Sequence, residues 1–143
     1  MPAIELIDAT FVVAPRQELA RWLHDESAWA TWWPELTLRV FMDRGDAGIR
    51  WSVTGDSTGS LEVWLEPVLD GTVVHLFVRL DPASGTLSTV AAARERGRYA
   101  KRWKAMMFEA KDRFEAGREV GVPPSGSAGS GSRELRRAPT KRL

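Results

Sequence analysis

The chain has 143 residues, of which 43% are apolar: a length suited to one domain and enough material for a core. Cys is absent, which excludes disulfides and thiolate chemistry, and no stretch approaches the roughly 20 apolar residues of a transmembrane helix. The net charge of +1 divides unevenly, with a balance of −3 over residues 1–116 and +4 over residues 117–143. A folded nucleic-acid binder concentrates positive charge on its domain, so no nucleic-acid partner is expected. The opening "MPAIELIDATFVVAP" lacks a basic region, and Glu5 and Asp8 interrupt its apolar run. That is not a signal-peptide pattern, and a cytoplasmic location is the default expectation.

Ile4 to Val13 reads as a strand that ends before Pro15. Its Ile7, Ala9, Phe11 and Val13 form the cleaner apolar face, because Ile4, Leu6 and Val12 share theirs with Asp8 and Thr10. Pro15 suits a helix start, and Leu19, Trp22 and Leu23 follow at helical spacing. Asp25 or Ser27 is placed to cap a second short helix that carries the tryptophans of "WATWWPEL", and Pro34 limits its continuation.

From Leu36 to Pro82 the period changes to two. "LTLRVFMD" puts Leu36, Leu38, Val40 and Met42 on one face, "IRWSVTG" groups Ile49, Trp51 and Val53, and "LEVWLEP" groups Leu61, Val63 and Leu65. In "TVVHLFVRL", Val74, Leu76, Val78 and Leu80 oppose Val73, His75, Phe77 and Arg79. "DRGDAG" and "GDSTGS" punctuate these runs, and Asp70-Gly71 is a hairpin signal. Four strands in succession predict an antiparallel meander. Its second face is mixed, with Phe41, Trp64 and Phe77 among charges; it faces water or is covered in a homodimer.

From about Thr89 to Glu115 the pattern is helical, with Tyr99, Trp103, Met106, Met107, Ala110 and Phe114 as the apolar stripe. Gly97 weakens its first turns by roughly 1 kcal/mol relative to Ala. After Gly117, "GVPPSGSAGSGS" has the composition of a flexible linker, and "RELRRAPTKRL" is a short basic tail. The domain is therefore expected over residues 1–116, with linker and tail over 117–143.

Few residues offer chemistry. His24 and His75 are the two histidines, too few for a compact metal motif without carboxylate help, and no glycine-rich turn forms a phosphate loop. No metal or cofactor is expected. His24 reads as a helix-end residue. His75 becomes an acid/base or ligand donor if its strand face is the concave one; otherwise it is a solvent-facing strand residue. Arg39 has the same two readings, and Met106 and Met107 read as core or as the soft lining of a pocket.

The order of strand, paired short helices, meander and long final helix resembles the START-related superfamily, which includes the Bet v 1 proteins and bacterial polyketide cyclase/dehydrase and lipid-transport proteins. The likeness is carried by "WATWWPEL" and "GSLEVWLEPVLDGTVVHLFVRLDP" and spans about residues 3–116. It implies an α+β helix-grip fold, in which a curved antiparallel sheet wraps a long C-terminal helix and an apolar cavity lies between them. The stripe of Tyr99, Trp103, Met106 and Ala110 would face that cavity and Trp33 would lie near its entrance; the expected ligand-binding set is Trp33, Arg39, Trp51, His75, Tyr99, Trp103 and Met106. The family usually has six strands after the helices, whereas this chain has room for four, which implies a smaller cavity or a filled interior. A small hydrophobic ligand, such as a lipid or a polyketide-like molecule, is the expected partner. A cyclase/dehydrase using His75, Arg39 or Tyr99 is one alternative, and a partner-binding protein with a filled core is another.

Overall fold

The computed structural model describes residues 2–115; the expected linker and basic tail lie outside the described residues. The chain runs β1 (Ile4–Val12), α1 (Arg16–Leu23), α2 (Glu26–Trp32), β2 (Leu36–Asp43), a 3-10 turn (Gly45–Ala47), β3 (Gly48–Gly55), β4 (Ser57–Val68), β5 (Gly71–Pro82) and α3 (Thr89–Glu115). The strands form one curved antiparallel sheet in the order β1-β5-β4-β3-β2. This is the α+β helix-grip arrangement, with four strands after the paired helices.

Local chemistry explains the boundaries. The Pro15 carbonyl accepts the first turn of α1, and the Asp25 carboxylate accepts the Ser27 N–H at 3.1 Å to cap α2. At α3, Ser88 Oγ accepts the Ala91 N–H at 3.1 Å. The helix runs unbroken through Gly97, an exposed position, so the local propensity loss does not shorten it. Its 27 residues span about 40 Å at about 1.5 Å per residue, enough to cross the sheet.

One sheet face is the core. Row by row it reads Leu6, Val78, Leu61 and Trp51, then Leu76, Val63 and Ile49, then Val74 and Leu65. Tyr99, Trp103, Met106, Met107 and Ala110 of α3 are buried against it. The Val13 N–H donates to Glu115 Oε2 at 2.7 Å and fastens the end of α3 to the end of β1.

The structure adds three details to the sequence pattern, and the second moves Met42 off its expected face. On β1 the mixed face is the inner one: Ile4 and Val12 are buried while Ile7 is 63% exposed. At this edge Asp8 and Thr10 stay half-exposed, whereas on the outer face Phe11 packs over Gly71. On β2 a bulge between Val40 and Met42 resets the pleat. Val40 pairs with the inward Trp51 but Met42 pairs with the outward Arg50, so Met42 leaves the face of Leu36 and Leu38. At the β4–β5 hairpin the two loop residues are Leu69 and Asp70, and Gly71 already pairs with Val68. Leu69 takes φ 53°, a left-handed conformation unusual for a leucine. In "DRGDAG" the glycines serve as expected: Gly45 has φ 59° and Gly48 φ 130°, and a Cβ on Gly48 would meet the Val63 carbonyl oxygen at 2.0 Å.

Candidate functional site

The paired helices close one side of the grip with aromatic rings. Trp22 of α1 packs edge-on against Trp32 at 4.8 Å and against Phe114 of α3 at 6.0 Å. Trp29 meets Trp51 of β3 edge-on at 5.4 Å, and Trp33 lies tilted against Tyr99 at 5.8 Å. All three tryptophans of "WATWWPEL" are buried. Trp29 also finds a polar partner, its indole N–H donating to the Leu23 carbonyl at 2.8 Å.

The residue after Pro34 ties this lid to α3. Glu35 accepts a hydrogen bond from Arg98 at 2.8 Å and another from Arg102. Arg98 and Arg102 are one turn apart and flank Tyr99, with the Arg98 guanidinium 5.0 Å from its ring centre. Burial opposes ionisation of Glu35, but the hydrogen bonds from Arg102 and Arg98 outweigh it and hold the carboxyl below its ordinary value. The sequence shows two arginines bordering an apolar stripe at i, i+4, which asks for an acidic partner. It does not show which acid, because the pair joins residues more than sixty positions apart.

Inside the grip, three polar atoms have no hydrogen-bond partner: Trp51 Nε1, Trp103 Nε1 and the Tyr99 hydroxyl. Their residues are 2%, 1% and 0% exposed. Ser57, buried on β4, is a polar neighbour of Tyr99 that falls short of hydrogen-bond geometry. Burial pushes the Tyr99 phenol up, so it stays protonated and can donate. Such groups lose their hydration on folding and gain nothing in exchange, at a cost of about 1–3 kcal/mol each. Native interiors rarely leave them so without a bound water, ion or ligand.

Of the seven residues expected to bind a ligand, five meet in this interior: Trp33, Trp51, Tyr99, Trp103 and Met106. Arg39 and His75 do not join them. Arg39 pairs with Ser52 and His75 with Trp64, both on the outward register of the sheet. There His75 stacks on Trp64 at 4.5 Å and its Nε2 lies 2.9 Å from Glu66 Oε1. The strand period of two decides this: on β5, Val74 and Leu76 face inward, so His75 between them faces outward. The acid/base set on which a cyclase would draw is thereby split, with Tyr99 inside and its two companions outside.

An open groove of about 480 Å³ lies between the start of β1 and the start of α3, lined by Ala3, Glu5, Leu87, Ala92 and Arg96 among others. None of the seven expected residues lines it. Leu87, which borders the groove, also packs against the core. Among the described residues, no helix is long and apolar enough to cross a membrane.

Two solved structures share this architecture. One is a Deinococcus radiodurans protein solved by structural genomics: TM-score 0.55, 13% identity, 75% of this chain and 96% of that one covered. The other is the Aha1 dimer from Colwellia psychrerythraea, also at TM-score 0.55 and 13% identity, covering 81% of this chain and 99% of that one. At that identity the likeness concerns the fold, a sheet gripping a long C-terminal helix. No family profile matches the chain, and no curated protein matches it.

Proposed function

We propose that the protein binds or carries a small hydrophobic molecule, such as a lipid or a polyketide-like compound, held between the inner sheet face and α3. The observation that carries this reading is the set of three buried, unpartnered polar atoms on Trp51, Tyr99 and Trp103. A filled core built only for stability would place apolar side chains there, because an unsatisfied buried donor is destabilising. Met106 and Met107 give the surrounding wall adaptable side chains. The START-related resemblance supports the same reading.

The test is titration with the apolar dye Nile red, together with native mass spectrometry of gently purified protein. Saturable dye binding and an adduct of a few hundred daltons are expected. Absence of both rejects the proposal.

A second reading rests on the outer sheet face. Ile7, Phe11, Phe41 and Trp64 are exposed there, and the Colwellia neighbour was solved as a dimer. Self-association through this face predicts a twofold mass in solution that falls when Trp64 and Ile7 are replaced by Lys. A strictly monomeric mass at high protein concentration removes it.

A further inference from the structure

The unpartnered atoms define the ligand's chemistry as well as its location. An indole N–H only donates, and a protonated phenol at full burial is a ready donor. The two indoles therefore present hydrogen atoms and ask for acceptors, and the Tyr99 hydroxyl can add a third donor. It also holds no counter-charge: among the described residues, the buried polar side chains are Ser57 and Thr72, and Thr72 already donates to the Ala14 carbonyl at 2.8 Å. The nearest cations, Arg98 and Arg102, are both engaged by Glu35. A carboxylate or an ammonium group brought inside would lose its hydration with nothing ionic to replace it.

We infer that the interior of the grip selects neutral, mainly apolar molecules bearing one or more acceptor oxygens, of the ketone, quinone or lactone kind, over free fatty acids and over plain hydrocarbons. This rests on the ligand-binding reading above and narrows it. A carbonyl oxygen meets the indole N–H groups of Trp51 and Trp103 or the Tyr99 hydroxyl, and the ring or chain behind it packs against Met106 and the inner sheet face.

Three probes built on one tricyclic ring system test this: 9-fluorenone (neutral, one carbonyl), fluorene (the hydrocarbon) and 9-fluorenecarboxylate (the anion). Affinities are measured by quenching of intrinsic tryptophan fluorescence, and the indole N–H resonances are followed by two-dimensional NMR of ¹⁵N-labelled protein. Trp29 is an internal control, since its N–H is already bonded to the Leu23 carbonyl. Fluorenone is expected to bind about tenfold or more tightly than either relative, the discrimination typical of satisfying a buried donor. It should move the Trp51 or Trp103 indole resonance downfield and leave Trp29 in place. Trp51→Phe and Trp103→Phe should narrow the preference for fluorenone over fluorene; where a variant fails to fold, the wild-type resonances decide alone. Equal binding of fluorene and fluorenone with unmoved indole resonances overturns the donor claim and leaves ligand binding standing. Equal or tighter binding of the carboxylate overturns the selection for neutral molecules. Binding of none of the three, alongside saturable Nile red uptake, rejects the inferred class, whereas failure of Nile red as well rejects the underlying reading.

Discussion

Replacing Glu35 by Gln keeps the shape of the side chain and one acceptor oxygen but removes the charge that Arg98 and Arg102 share. Charge-assisted hydrogen bonds are worth about 1.5–3 kcal/mol each when sheltered. Here the side chains of Arg98 and Arg102 are 39% and 27% exposed, so solvent screening reduces the combined loss to about 1–2 kcal/mol. For a domain of this size that lowers Tm by about 4–8 °C at neutral pH. The effect has a pH signature. The carboxyl of Glu35 sits below its ordinary value in the folded protein, so its contribution is complete above that ordinary value. It fades as pH falls through the lowered folded value, because protonation in the folded state then breaks the same pairs. Urea unfolding of wild type and Glu35→Gln at pH 7 and at steps below pH 4.5 follows this directly. The gap between the two proteins should be widest at neutral pH and shrink in acid. An unchanged midpoint at pH 7, or a gap independent of pH, would refute the latch as the structure draws it.

Leu69→Asn should raise stability by about 0.5–1 kcal/mol, because Asn tolerates the left-handed conformation that Leu69 adopts at 98% exposure. Thermal unfolding checks this, and a lower Tm would show that the hairpin loop does not hold that conformation in solution. His75→Ala should leave Nile red affinity within about twofold and lower stability by about 1 kcal/mol at most, since its contacts are the Trp64 ring and Glu66 on the outer face. A larger loss of affinity would place ligand contact on the wrong side of the sheet.

Much of this architecture is legible in the sequence because its signals are periodic. The switch from a period near 3.6 to a period of two, and back again at Thr89, sets the element order and the four-strand meander. The stripe of Tyr99, Trp103, Met106, Met107 and Ala110 is the buried face of α3. What periodicity misses is whatever interrupts it. The β2 bulge turns Met42 outward although the sequence alternates through it without a break. On β1, the choice of the face with Asp8 and Thr10 depends on the open sheet edge, which no single strand announces. The candidate site is legible to a similar depth. Four of its residues, Trp51, Tyr99, Trp103 and Met106, fall on inward faces that the pattern identifies, and the same period of two on β5 sends His75 away from them; Trp33, at the end of α2, is placed by tertiary packing alone. The lack of partners at Trp51, Trp103 and Tyr99, and the Glu35 latch, depend on distances between remote residues and have no local signature.

The most direct test of a ligand held inside the grip is the set of nuclear Overhauser contacts made by the aromatic protons of bound 9-fluorenone. Contacts to the Met106 methyl group and to the Trp51 and Trp103 rings are the predicted result. Contacts confined to Trp64, Phe41 and Ile7 would place the ligand on the outer sheet face and contradict the account.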